Sequence, residues 1–254
     1  MTTEFHKYLV NNVLPKYTVP QNEIDILRQI YNDLWQNDLK EIHQHNPRHY
    51  YGGSYAKGTM IKGKYDLDFV IYFGSNFKNS PKELSEYVEN VLKKKHEIKR
   101  YGVATQIIYK GCDIDVVVGK AQDDKYIYST LWNSKDEKEM RASLTVHIDS
   151  VAEVEQIVKI YKIWRLNHKL NWHKLAMEQA IVRVLKDKQK NDFGECFKEI
   201  LLDIKSNIDN VKFLDPANCN NPIFVNDSER KRIKDIATEC YNLLINNRFE
   251  QIIR

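Results

Sequence analysis

Five of the chain's nine glycines (Gly52, Gly53, Gly58, Gly63 and Gly74) fall within 23 residues. Glycine is placed where a backbone must turn sharply or approach a ligand, so that stretch is the first place to look for chemistry. It reads Gly52-Gly53-Ser54-Tyr55-Ala56-Lys57-Gly58-Thr59, followed by Asp66-Leu67-Asp68 at the head of an apolar run. Residues two apart on a strand share a face, so Asp66 and Asp68 project side by side. Carboxylates that close repel unless a cation lies between them. Cys112-Asp113-Ile114-Asp115-Val116-Val117-Val118 offers a second acidic pair, Asp113 and Asp115, able to reach the same cation if the two strands are neighbours. Hard oxygen ligands of this kind favour Mg2+ or Mn2+ over zinc. A glycine turn supplying N–H groups and the Ser54 hydroxyl to phosphate, beside carboxylates holding two metal ions, implies metal-assisted phosphoryl or nucleotidyl transfer.

The elements that must position these groups follow from periodicity. Ile24, Ile26, Leu27, Ile30, Tyr31, Leu34, Leu39 and Ile42 give residues 22–45 one apolar helical face between Pro20 and Pro47. Residues 66–73 read as a strand and 81–95 as a helix; 101–109 and 112–118 read as strands joined by a tight turn at Lys110-Gly111. From residue 149 onward the spacing is helical, with helices expected at 150–168, 174–188, 193–206 and 228–247 and a loop around Asp215-Pro216. The expected architecture is α+β, a mixed-sheet lobe over residues 1–145 packed against an all-helical lobe over 146–254.

Composition bounds the remaining choices. With 254 residues, 42% hydrophobic and 29% charged, the chain can bury a substantial core. A formal charge of +4, from 39 basic and 35 acidic residues, is compatible with phosphate-bearing partners but far from that of a nucleic-acid-coating protein. Cys112, Cys196, Cys219 and Cys240 form no Cys-x-x-Cys pair and read as free thiols. No apolar run approaches membrane-spanning length and the first residues lack the order of a secretion signal, so a soluble, cytoplasmic protein without a membrane partner is expected. The run Lys93–Arg100 reads as a solvated helix end rather than a grip on RNA. His43, His45 and His49 read as surface histidines, since no Cys or acid at ligand spacing joins them.

Gly53-Ser54 followed by Asp66-x-Asp68 and a later strand acid resembles the signature of the polymerase-β-like nucleotidyltransferase superfamily. The wording Gly-Ser-Tyr-x-x-Gly-Thr looks most like the branch that holds oligoadenylate synthetases, bacterial cyclic GMP-AMP synthase-like enzymes (CD-NTases) and archaeal CCA-adding enzymes. Val158-Lys159-Ile160-Tyr161-Lys162-Ile163-Trp164 is similar to that branch's triphosphate-contacting helix, and Asp215-Pro216-Ala217-Asn218-Cys219-Asn220-Asn221 resembles its loop beside the nucleotide. The resemblance spans about residues 50–225. It implies Gly53, Ser54 and Lys162 at the triphosphate, Asp215 and Asn221 beside the nucleotide, and Asp66, Asp68 and Asp115 on two Mg2+ ions, with Asp113 as the fallback third acid. Lys174 stands where relatives often carry serine before the Glu178 position, and Cys219 where they carry proline. The implied activity is template-independent nucleotidyl transfer from an NTP, ATP above all, making a cyclic or linear oligonucleotide signal. Terminal addition to an RNA or tRNA acceptor, adenylylation of a protein, and an inactive nucleotide or RNA sensor are the other readings, and the chain length favours the first.

Overall fold

The structure, a computed structural model, describes residues 3–63 and 66–254. It divides into two compact units: Val19–Gly58 with Lys64–Asp149, and Met1–Thr18 with Thr59–Gly63 and Ser150–Arg254. Residues 3–18, which the sequence division groups with the sheet, fold with the helical unit.

Among the described residues, the sheet unit is built on seven strands. Strands β1 (Arg48–Tyr51), β2 (Leu67–Phe73), β3 (Lys99–Tyr101), β4 (Ala104–Tyr109) and β5 (Cys112–Ala121) lie in the order β1-β2-β5-β4-β3. The β2–β5 pair is parallel and the others are antiparallel, so the sheet is mixed. Beyond β4, the C-terminal end of β5 pairs with β6 (Ser129–Asn133), which pairs with β7 (Lys138–Ala142). On one face Leu67, Phe69, Ile71 and Phe73 of β2 join Ile114, Val116 and Val118 of β5 in a core closed by Leu84, Val88 and Leu92 of the helix Pro81–Lys93. Burying one face in this way fixes the strand register, because a one-residue slip would turn every apolar side chain outward.

Local chemistry accounts for the element boundaries. The helix Pro81–Lys93 begins in a capping box: Ser80 Oγ accepts from the Glu83 N–H at 3.3 Å while the Glu83 carboxylate accepts from the Ser80 N–H at 2.7 Å. The segment expected as one helix over 22–45 is regular only through Gln21–Asp33. It then opens into a wide turn at Leu34–Asp38, where the Leu39 N–H reaches the Leu34 carbonyl at 3.0 Å, and tightens to 3-10 geometry over Lys40–His45. Leu34, Trp35, Leu39 and Ile42 all stay buried through this change of pitch. Lys110 and Gly111 both adopt positive φ, as the two-residue hairpin requires. The stretch expected as one strand over 101–109 is instead two, broken by a turn at Gly102.

His43 and His49 are not surface histidines. Both rings stack on Trp35, with centroids 4.2 and 4.1 Å from the indole, and His49 Nδ1 is hydrogen-bonded to the Tyr31 hydroxyl at 2.9 Å. Burial, and secondarily His43, lowers the His49 pKa. The basic run is not freely solvated: Lys95 and His96 bond Asp38, each at 2.7 Å, Lys94 bonds Glu41, and Arg100 bonds the buried Glu89.

The helical unit packs Glu155–Asn167, Lys174–Leu185, Phe193–Asn207 and Asp227–Ile245 around Tyr161, Trp164, Trp172 and Phe197, all fully buried. Phe5, Leu9 and Val13 of the N-terminal segment enter the same core, and Thr3 is tied to Asp192 through its N–H at 2.6 Å and its hydroxyl at 2.8 Å. This unit is not all-helical. Where a loop is expected, β8 (Phe213–Asp215) and β9 (Asn218–Ile223) form a hairpin, because Phe213, Asp215 and Ile223 turn inward while Leu214 turns out. Among the described residues, no helix is long and apolar enough to cross a membrane.

Ser80→Ala removes one half of the capping box and should cost about 1 kcal/mol, read as a lower midpoint in urea denaturation. A substitution without effect would mean that packing of Leu84 and Val88 alone sets the start of that helix.

Candidate active site

Asp68 and Asp115 are register partners in the parallel β2–β5 pair. Partnered residues on neighbouring strands project to the same face, so the two carboxylates stand side by side at the centre of the sheet. Asp68 is the one residue of β2 that is not fully buried, between Leu67 and Phe69, which anchor the opposite face. Ile114 and Val116 anchor Asp115 in the same way.

The glycine turn is fastened directly to this pair. The Gly52 N–H donates to the Asp68 carbonyl at 2.9 Å, extending the β1–β2 ladder into the turn, and Gly53–Ala56 then forms a single helical turn. Gly53 has φ +51°, and a Cβ on it would lie 1.6 Å from Asp68 Oδ2. Both the conformation and the space therefore demand glycine. Ser54 Oγ is shielded from solvent and has no hydrogen-bond partner among the described residues. A buried hydroxyl in that condition costs free energy unless something else satisfies it. Behind the turn, Tyr51 stacks on Tyr55 at 4.5 Å and on Tyr31 at 3.8 Å, while Arg28 Nε donates to the Tyr55 hydroxyl at 2.8 Å.

The other acids of the motif are placed differently. Asp66 immediately precedes β2 and shares parity with Asp68. The Cys112 thiol is pushed up by burial first, then by Asp113 and Asp66, which puts both acids near the start of β5. Asp113 is exposed opposite Ile108, whereas Asp115 is half-buried opposite Gln106, whose Nε2 donates to Asp115 Oδ1 at 3.2 Å. Sequence reading does not single out Gln106; its place opposite an acid depends on the β4–β5 register.

Among the described residues, no three His, Cys, Asp or Glu side chains are gathered around one point in a way that could hold a metal ion. The fit to a divalent cation rests on the register-paired Asp68 and Asp115, which supply hard oxygens from adjacent strands, and on the turn pressed against Asp68.

In the helical unit, Lys162 is only 8% exposed, and its Nζ donates to the Thr59 hydroxyl at 2.8 Å and the Thr59 carbonyl at 3.0 Å. Lys159, one turn earlier, is half-buried and its pKa is lowered by burial against an opposing pull from Glu155. The hairpin brings Asp215 and Asn221 together. Asp215 is buried, its Oδ1 accepts from the Ala217 N–H at 2.8 Å, closing a tight turn at Pro216, and its Oδ2 accepts from Asn221 Nδ2 at 3.4 Å. Lys174 opens its helix and Glu178, one turn on, is buried.

The nucleotidyltransferase domain family model matches residues 35–110, which include the glycine turn, Asp66 and Asp68. That stretch of the sheet unit is similar to a nucleotidyltransferase domain. No curated protein matches the chain. Among solved structures, Escherichia coli CdnC with ATP is similar at a TM-score of 0.75 and 19% identity, over 94% of this chain and 91% of that one. Vibrio cholerae DncV, a cyclic AMP-GMP synthase solved with a linear intermediate, is similar at 0.72 and 15% identity, over 95% and 90%. Rhodothermus marinus CdnE, a c-UMP-AMP synthase, follows at 0.63 and 14%, over 89% and 97%. The chain has the fold of the cyclic GMP-AMP synthase-like bacterial nucleotidyltransferases.

Gly53→Ala forces a side chain into the Asp68 carboxylate and into a backbone region costly for alanine. It should lose about 1–2 kcal/mol of stability and lower nucleotidyl transfer about a hundredfold, checked by thermal melting alongside a pyrophosphate-release assay. Wild-type turnover in this variant would show that the turn does not need to lie against Asp68.

Proposed function

We propose that this chain is a template-independent nucleotidyltransferase that uses NTPs, ATP first among them, with Mg2+, and joins them into a cyclic or linear oligonucleotide. The observation that carries this reading is the pairing of Asp68 with Asp115 on one sheet face, with a glycine-serine turn pressed against Asp68. In the reaction an acceptor hydroxyl oxygen bonds to the α-phosphorus of the NTP and the bond to the bridging oxygen breaks. Pyrophosphate departs with the bonding electron pair. Bound Mg2+ ions, held by Asp66, Asp68 and Asp115, would supply charge neutralisation at the phosphates and acidify the acceptor hydroxyl.

The chain's own groups bind and orient. Ser54 Oγ, which has no hydrogen-bond partner among the described residues, and the turn's backbone N–H groups are suited to phosphate oxygens. Asp115 is assigned to the acceptor side and receives the hydroxyl's proton, while Asp68, locked under Gly53, is assigned to the incoming nucleotide. Lys162 is assigned to the triphosphate, and Asp215 with Asn221 to the nucleotide, through a hairpin whose turn the Asp215 carboxylate closes. A nucleotide acceptor is favoured over RNA because four groups of the Lys93–Arg100 run are already engaged by Asp38, Glu41 and Glu89.

Incubating the purified chain with labelled NTPs and Mg2+, with and without RNA, and separating the products by chromatography tests the reading. Short oligonucleotides formed without RNA support it. Label appearing only on added RNA, or no consumption of any NTP, would overturn it. Asp68→Asn and Asp115→Asn should each abolish product while melting at or above the wild-type temperature, since each relieves like-charge repulsion; Asp113→Asn should retain most activity. If Asp113→Asn is inactive and Asp115→Asn is not, the site lies two residues earlier on β5.

Ser54→Ala and Lys162→Ala should weaken NTP binding by one to two orders of magnitude, corresponding to about 1.5–3 kcal/mol for each lost charge-assisted contact. Titration with a non-hydrolysable NTP measures this. An unchanged dissociation constant for Lys162→Ala would confine that lysine to its bonds with Thr59.

A further inference from the structure

We propose that Gln106 is a positioning residue that tethers the Asp115 carboxylate, an inference that rests on the nucleotidyltransferase reading of the Asp68–Asp115 face. Gln106 lies opposite Asp115 in the antiparallel β4–β5 register, just as Asp68 lies opposite it in the parallel β2–β5 register, and Lys99 of β3 lies opposite Gln106. One row of polar side chains, Asp68, Asp115, Gln106 and Lys99, therefore crosses four strands on a single face. The neighbours of Gln106 along β4 show that packing does not require an amide there. Thr105 and Ile107 turn into the core, while Ile108, which shares the face of Gln106 two residues on, is 68% exposed.

The tether solves a problem that the register creates. Two carboxylates on adjacent strands repel, and the inexpensive escape for Asp115 is to rotate away from Asp68. The Gln106 Nε2 bond to Asp115 Oδ1 opposes that rotation. A carboxylate carries several lone pairs over its two oxygens, so a bond from Gln106 to Oδ1 is compatible with metal ligation by the same group. The donor is neutral, so it orients the acid without cancelling the charge that attracts a divalent ion; a lysine or arginine in its place would compete with the ion. Outer-sphere hydrogen bonds of this type typically alter metal affinity or activity by about 10–100-fold.

The test compares the full chain with Gln106→Leu and, as an unbranched alternative should leucine disturb β4, Gln106→Met. Mn2+ binding is followed by electron paramagnetic resonance without NTP, and kcat and KM by pyrophosphate release. We expect Mn2+ affinity and kcat to fall about tenfold or more, with KM for NTP and the melting temperature close to wild type. Asp115→Ala supplies the reference: adding Gln106→Leu to it should cost nothing further in Mn2+ affinity, because the side chain that the tether holds is then gone. Losses that add in the double variant, or Mn2+ affinity within twofold of wild type in both single variants, overturn the tether alone. Wild-type protein that binds no Mn2+ overturns the metal reading of the face and the tether with it.

Discussion

The arrangement of this face follows from one constraint, the parallel register that sets Asp68 beside Asp115. Parallel pairing requires a crossover, and the chain provides it with the helix Pro81–Lys93 and the hairpin β3–β4 before β5 begins. The register is held from behind by Leu67, Phe69, Ile114 and Val116, all essentially without solvent contact. The hydrophobic core therefore does the work of forcing two like charges together. Neither acid could relax by sliding its strand without exposing a full row of apolar side chains.

Around that pair the structure supplies stiffness. Gly52 continues the ladder onto Asp68, Gly53 occupies space that no side chain could share, and the Tyr31–Tyr51–Tyr55 stack with Arg28 supports the turn. Aromatic stacking suits this role because large flat rings order with few rotatable bonds. The same economy operates in the helical unit, where the buried Asp215 carboxylate closes its hairpin through the Ala217 N–H and reaches Asn221.

Much of this is legible in the sequence because it depends on local rules. The Asp-x-Asp spacing, the Gly-Ser turn, the Lys110-Gly111 hairpin and the apolar periodicity of the long helices all follow from two- to four-residue relationships. What escapes is what depends on partners distant in the chain. Strand β1 is four residues of Arg, His and Tyr and gains its identity only by pairing with β2. Strands β6 and β7 carry Ser129, Thr130, Lys138 and Glu139 and are defined by the far end of β5. The role of His43 and His49 as flanks of Trp35 depends on the wide turn that follows Asp33, and Gln106 becomes meaningful only once β4 is laid beside β5.

The wide turn at Leu34–Asp38 has a consequence for how this chain tolerates changes in length. A turn closed from residue 34 to residue 39 holds one residue more than a regular helical turn, yet returns the chain to the same face. Deleting the exposed Gln36 would convert it to ordinary helix pitch with Leu39 and Ile42 still directed at the core. The same deletion anywhere in Gln21–Asp33 would rotate everything downstream by roughly 100° and carry those side chains off their face. This helix thus contains a spare residue, and single-residue length variants of the protein should be accommodated at this turn rather than in the regular helix before it.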